Sequence, residues 1–316
     1  MDSQKRLILV TLVCAAFVIM AADMKAPTDI KIPSNTTIGK YEDTGLVADS
    51  YIFDHGGEMV MKSLLPNKTV TPPMEAITAR AYIVGNVENG IAYLEHNSTK
   101  PLPVASMSKL ITSIAAIDTI SLSTVLQIGE EARTVPSDSS HLKQGERFTL
   151  NDILFPLLLD SSNVAAESIS LQGGNRVKFL ELMSSYAWEV GMPLSFFADP
   201  TGLSSNNIAS AGDMFSLAQY LYHSRPDILA ITRIPYVSVA TTSEHGAHEF
   251  VSTHPFVSDS RFIGGKTGRT TEAGETMLTI LRIKNQPITF IVLGSQLGAR
   301  EYDTRLLIKK FENFVK

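Results

Sequence analysis

Three short clusters in the chain carry side chains able to transfer an acyl group. Ser106-Met107-Ser108-Lys109 sets a hydroxyl and an amine three residues apart. On a helix such residues share a face, with β-carbons about 5–6 Å apart, so the amine reaches the hydroxyl by local geometry alone. Serine is a weak nucleophile until a base takes its proton. A lysine serves as that base only when burial or a nearby cation depresses its pKa. A helix N-terminus at Ser106 also aims backbone N–H groups at whatever binds there. Taken alone, the pair equally fits a capping serine beside a solvated lysine. The second cluster, Ser161-Ser162-Asn163, follows an apolar run over residues 153–159 and can present a hydroxyl and an amide to one cleft. An N-cap at Ser161 is its plainer reading. The third, Lys266-Thr267-Gly268, follows Phe262-Ile263-Gly264-Gly265. Glycines around a Lys-Thr pair on a strand let a substrate backbone approach closely; a simple turn is the alternative.

The elements that must position these clusters can be read from periodicity and turn chemistry. Helical spacing predicts helices over residues 108–120, 150–171, 176–190 and 210–223. A last helix over 300–316 carries Tyr302, Leu306, Leu307, Phe311, Phe314 and Val315 on its apolar side. Apolar runs at 81–84 and 91–94 flank Glu88-Asn89-Gly90, a strong hairpin signal. A second hairpin is predicted from 276–283 and 288–293 across Asn285-Gln286-Pro287. Strands at both ends around a helical middle predict an α+β domain whose terminal strands share one sheet.

Composition narrows the function. With 316 residues, 44% hydrophobic and 19% charged, the chain can bury one large core or two small ones and is too apolar for disorder. A net charge of −5 and no Lys/Arg run remove the electrostatic basis for nucleic-acid binding. The single cysteine, Cys14, excludes an internal disulfide, and no thiol nucleophile or thiolate metal site is available beyond the first segment. Lys5 and Arg6 precede an apolar run over residues 7–22, broken only by Thr11. This reads as a signal peptide or an uncleaved anchor. Ile19 and Met20 stand where cleavage prefers alanine, which favours the anchor, and Val13 before Cys14 argues against lipidation. Either reading puts the remainder outside the cytoplasm. Residues 23–76, with Pro27, Pro33, Pro66, Pro72 and Pro73, read as a tether with a short apolar stretch at 59–65 able to pack on the domain. Residues 77–316 form the expected catalytic domain. Glu244, His245, His248, Glu249 and His254 cluster in sequence, but they lack the His-Glu-X-X-His helix spacing of zinc peptidases. Residues three apart on a strand face opposite ways, so a solvated loop is expected there and no metal.

Ser-X-X-Lys, Ser-Asp-Asn and Lys-Thr-Gly are the signature of penicillin-binding proteins and class A β-lactamases, and the three clusters follow that order here with Ser-Ser-Asn in the middle. From residue 77 onward the chain resembles the low-molecular-mass penicillin-binding proteins, the D-alanyl-D-alanine carboxypeptidase family of serine peptidases. Further shared features are Val104-Ala105, Gly145-Glu146 and Asp199-Pro200-Thr201-Gly202-Leu203, similar to the family's Asn-Pro-Thr-Gly-Leu. Ala211-Gly212-Asp213-Met214, Ala273-Gly274 after Lys266-Thr267-Gly268-Arg269-Thr270, and Arg300-Glu301 complete the set. The resemblance implies a β-lactamase/transpeptidase-like domain: a five-stranded antiparallel sheet flanked by helices, with a helical subdomain. It implies Ser106 as nucleophile, Lys109 as base, Ser161 as proton relay, and Asn163 orienting Lys109 and the substrate amide. It implies that Lys266 keeps the site cationic and that Thr267 and Arg300 bind the substrate carboxylate. Gly268 lies on the same strand, and backbone N–H groups of Ser106 and Arg269 form the implied oxyanion hole. Implied partners are peptidoglycan stem peptides, β-lactams as covalent inhibitors, and a membrane through the N-terminal segment; no cofactor is implied.

Several departures bear on activity. The middle motif has a neutral centre, Ser162. Ser252-Thr253-His254 stands where the family often has Asn-Thr-Asn. Many relatives carry a second, β-rich C-terminal domain and an amphipathic membrane helix. Residues 197–203 hold Asp199 but no glutamate, and Glu167 is too close to Ser161 for a deacylating loop, which disfavours a β-lactamase. A D,D-endopeptidase uses the same residues and is the alternative to the carboxypeptidase. A binding protein on a degenerate fold should have lost Ser106 or Lys109, and neither is lost.

Overall fold

The computed structural model describes residue 31 and residues 36–39, 52–53, 59–60, 76–136, 140–172 and 175–315. Residues 7–22, the expected signal or anchor, lie outside these. Five strands build an antiparallel sheet: β1 (Ala81–Asn86), β2 (Ala92–His96), β3 (Phe262–Thr270), β4 (Gly274–Ile283) and β5 (Gln286–Ser295), in the order β3-β4-β5-β1-β2. Both predicted hairpins form. The second turns at Lys284-Asn285, whose φ values of 47° and 64° suit the twisted two-residue turn of a hairpin. Pro287, expected in the turn, therefore lies in β5 opposite Arg282, and its carbonyl accepts from Val87 N at 3.0 Å.

Seven helices position the site: α1 (Lys109–Thr119), α2 (Leu150–Leu158), α3 (Asn163–Ser170), α4 (Arg176–Glu189), α5 (Ala211–Ser224), α6 (Pro226–Thr232) and α7 (Arg300–Phe314). Alternate residues of the sheet face two apolar layers. Ile83, Leu278, Ile280 and Ile291 join the larger core with α1 to α6, while Val84, Met277, Phe290 and Val292 pack against Leu307 and Phe311 of α7. The first nine residues of α1 are all buried, so the helix carrying Lys109 is itself core.

One predicted helix is two. The helix expected over 150–171 ends at Leu158 and restarts at Asn163. Ser161 takes φ 61°, a left-handed conformation that no helix accommodates. Ser162 then caps α3, accepting from Ala165 N at 3.0 Å. The motif sits in this break.

Within the segment expected to be a tether, Thr36–Gly39 pairs antiparallel with Tyr236–Val239, which pairs in turn with His248–Val251. Lys31 exchanges two backbone hydrogen bonds with the Asn151 side chain, at 3.0 and 2.6 Å. The expected solvated histidine loop is corrected at two positions. His248 is buried on a strand, with Nε2 2.9 Å from Glu146 Oε1, and its ring stacks on Phe250. His254 is only 4% exposed.

Candidate active site

Ser106 is delivered by a strained turn. Ala105 has φ 50°, sparsely populated for any residue with a β-carbon. A 3₁₀ turn over Ala105–Ser108 then leads into α1. Local bonds hold the strain: Val104 N donates to Asn207 O at 2.9 Å, and Ser108 Oγ donates to Ala105 O at 2.8 Å. Two glycines close on the turn. A β-carbon at Gly202 would stand 2.1 Å from Ala105 O, and one at Gly268 would stand 2.9 Å from Ser106 N. Only glycine lets these backbones approach so closely, so Gly268 brings β3 against Ser106.

Lys109 is fully buried, and its Nζ lies 3.0 Å from Ser106 Oγ, 2.8 Å from Asn163 Oδ1 and 2.6 Å from Thr201 O. The last two partners are pure acceptors. A neutral amine has two N–H donors and one lone pair. The Ser106 hydroxyl lies within hydrogen-bond reach of this amine, the distance a general base requires. The Asn163 amide nitrogen donates to Pro136 O at 3.0 Å, which fixes its oxygen toward Lys109.

The Thr201 carbonyl is held by the loop that the sequence showed as Asp199-Pro200-Thr201-Gly202-Leu203. Asp199 Oδ1 accepts from Thr201 N, Thr201 Oγ1 and Gly202 N at 2.6–2.7 Å, and Oδ2 accepts from Ser204 N at 2.6 Å. Burial alone would raise the Asp199 pKa; these hydrogen bonds outweigh it and hold the carboxyl below its usual range. Asn207 ties the loop to α1, donating to Ser108 Oγ at 2.9 Å and to Asp199 O at 2.8 Å.

The opposite wall is cationic. Lys266 is 1% exposed, and burial, then Lys109 and Arg300, push its amine well below the ordinary lysine range. Arg300 Nη1 donates to Gly268 O at 3.1 Å. Burial lowers its pKa with Glu275 opposing, and the guanidinium remains charged at neutral pH. An anion arriving here favours the charged Lys266, so carboxylate binding and protonation are coupled. The Thr267 hydroxyl lies 2.9 Å from that of Thr253. Arg269 is exposed at the end of β3, opposite Glu275.

Ser162 takes the capping role considered for Ser161. The Ser161 hydroxyl is buried and has no hydrogen-bond partner among the described residues, leaving a donor and an acceptor open beside Asn163. The structure thus joins Ser106, Lys109 and Asn163 by direct contacts, and sets Lys266, Thr267, Gly268 and Arg300 together on the facing wall. The sequence reading gave no role to the Thr201 carbonyl, to the Asp199 carboxylate or to Thr253. Asp199 had a signal, in the shared loop motif; a backbone carbonyl has none.

The family model described as D-alanyl-D-alanine carboxypeptidase matches residues 67–296. The chain is 27% identical over 237 residues to the D-alanyl-D-alanine endopeptidase of Pseudomonas aeruginosa, covering 73% of this chain and 76% of that one. It is 28% identical over 243 residues to the D-alanyl-D-alanine endopeptidase of Haemophilus influenzae, covering 74% and 82%. Among solved structures, penicillin-binding protein D2 from Listeria monocytogenes, in its cefotaxime-bound form, superposes with a TM-score of 0.65 at 26% identity, covering 75% of this chain and 98% of that one.

Proposed function

The chain belongs to the D-alanyl-D-alanine carboxypeptidase family of serine peptidases, and on that premise we propose that it removes terminal D-alanine from peptidoglycan stem peptides through an acyl-enzyme on Ser106. The observation that carries this reading is the buried Lys109 amine, which lies 3.0 Å from the Ser106 hydroxyl and is held by Asn163 Oδ1 and Thr201 O. Ser106 Oγ attacks the carbonyl carbon of the D-Ala–D-Ala bond as its proton passes to Lys109 Nζ. The scissile C–N bond breaks, and the departing amine takes a proton relayed by the Ser161 hydroxyl. Water then releases the acyl group and restores the Ser106 proton. Asn163 orients Lys109; backbone N–H groups of Ser106 and Arg269 receive the oxyanion, each such donor contributing about 2.7–4 kcal/mol in the transition state. Lys266, Thr267 and Arg300 receive the carboxylate.

A D,D-endopeptidase cutting cross-links with the same residues is the second reading, favoured by the names of the two bacterial relatives. β-Lactams are expected to bind at the same site, a reading supported by the similar Listeria protein in its cefotaxime-bound form. The experiment incubates the protein, and Ser106→Ala as control, with a pentapeptide ending in D-Ala–D-Ala and with purified cross-linked muropeptide dimers, followed by mass spectrometry. Free D-alanine from the pentapeptide is expected. Conversion of dimers alone would replace the carboxypeptidase by the endopeptidase, and cleavage of neither without penicillin labelling would sink both.

The sequence pattern of residues 7–22 supports an extracytoplasmic enzyme tethered to the membrane. Among the described residues no helix is long and apolar enough to cross a membrane. Fractionation of cells tests the tether: the full chain should stay with washed membranes and a chain lacking residues 1–22 should not. Release of the full chain by the wash refutes it.

A further inference from the structure

The segment Ser252-Thr253-His254 is fastened to its surroundings at three points. Thr253 N donates to Leu159 O at 3.1 Å, next to the break that carries Ser161. Phe256 N donates to His254 Nδ1 at 3.3 Å, which leaves the imidazole proton on Nε2, 3.1 Å from Leu278 O and 3.3 Å from Thr279 Oγ1 on β4. The ring lies against Phe262, with centroids 4.5 Å apart. Burial, with Arg300 and Lys266 nearby, keeps the histidine pKa down at about 3, so the ring is a neutral peg across the working range. The peg fixes the residue before it: Thr253 Oγ1 lies 2.9 Å from Thr267 Oγ1.

We propose that Thr253 is a positioning residue for carboxylate recognition: its hydroxyl donates to Thr267 Oγ1 and so turns the Thr267 proton toward the substrate's terminal carboxylate. Thr267 has one proton. Were it spent on Thr253, only lone pairs would face an incoming anion, which would repel it. With Thr253 as donor, the Thr267 O–H joins Lys266 and Arg300 as a donor to the carboxylate. Thr253 touches neither Ser106 nor Lys109 in this account, so it governs binding and not the proton transfers. The His254 peg itself carries no charge across the neutral range. The inference deepens the proposed function and rests on it.

The test uses Thr253→Val, which removes the hydroxyl and keeps the branched shape, with Thr253→Ser as rescue. Substrates are a D-Ala–D-Ala peptide and the same peptide ending in a carboxamide. Thr253→Val should raise KM for the carboxylate peptide about fivefold, the loss of one hydrogen bond, with kcat within twofold of wild type. Thr253→Ser should restore KM, and the carboxamide should be turned over alike by all three proteins. An unchanged KM for Thr253→Val, or equal losses on both peptides, overturns the proposal. Failure of the wild-type protein on both peptides, with Ser106 unlabelled by penicillin, would instead defeat the functional reading beneath it.

Discussion

Gly202→Ala should disable the nucleophile without altering any group that reacts. The added β-carbon would stand 2.1 Å from Ala105 O and 2.7 Å from Ser106 N, against the 3.4 Å at which ordinary contact begins. Both neighbours are backbone, so relief needs a shift of about 1 Å or more. Gly202 also has φ 89°, which strains any residue with a β-carbon by about 1–3 kcal/mol. Overpacking adds a cost of about 1–3 kcal/mol. Two relaxations are available. If the loop retreats, Thr201 O leaves Lys109; if the turn retreats, Ser106 leaves Lys109. Either spoils the base geometry, and a misplacement of about 1 Å costs on the order of 10²-fold in rate. Acylation by a fluorescent penicillin, followed in time, should therefore slow about 100-fold. The Tm should fall by roughly 5–15 °C, at about 2–4 °C per kcal/mol for a domain of this size. Gly129→Ala is the control: nothing lies within 4 Å of its β-carbon and its φ is −82°. A Gly202→Ala protein that acylates within twofold of wild type at an unchanged Tm would refute the claim that this loop and the turn are in steric register.

Ser106→Ala should abolish covalent penicillin labelling, read as loss of the mass shift on intact protein. Lys109→Ala should slow acylation by about 10²–10⁴-fold, the usual contribution of a positioned base; near-normal acylation would mean that another group takes the proton. Lys266→Ala should raise KM for carboxylate-ended peptides more than for their carboxamides, and an unchanged kcat/KM removes its proposed role. The Asp199 carboxyl has a depressed pKa in the folded state. Its contribution to stability is therefore full above the unfolded value of 3.8 and is lost as pH falls through the folded one. Asp199→Asn should cost about 1.5–3 kcal/mol at pH 7, as lost hydrogen bonds to a charged group. In urea titrations the gap between variant and wild type should narrow by pH 3; a gap constant with pH would deny that the charge matters.

The parts of the site legible in the sequence are those set by local geometry. Ser106 and Lys109 share a turn, so three residues of spacing suffice. Lys266-Thr267-Gly268 lies on one strand between glycines. The hairpins followed from turn chemistry, although the second turn uses Lys284-Asn285, because a tight hairpin needs two positive φ values and Pro287 can supply none. The errors have one origin, contacts between distant residues. Nothing in the apolar periodicity of 150–171 records the break at Ser161, which places Asn163 against a lysine 54 positions away. His248 and His254 looked polar enough for a loop. Each is buried because a remote partner satisfies it: Glu146, 102 positions away, and the Leu278 carbonyl, 24 positions away.

The pairing of β5 with β1, which sets Leu293 opposite Ala81, has a consequence for how activity appears as the chain grows. Ser106 and Lys109 are made early, but the wall that faces them is made of β3 and the start of α7. Within the sheet, that wall reaches β1 through β4 and β5. A nascent chain that has passed Lys109 therefore owns a serine and an amine but no cleft, and loop closure over this span makes the final pairing slow. A chain cut before Ser295 lacks the strand that joins β4 to β1, together with Arg300 beyond it, and should show no penicillin labelling.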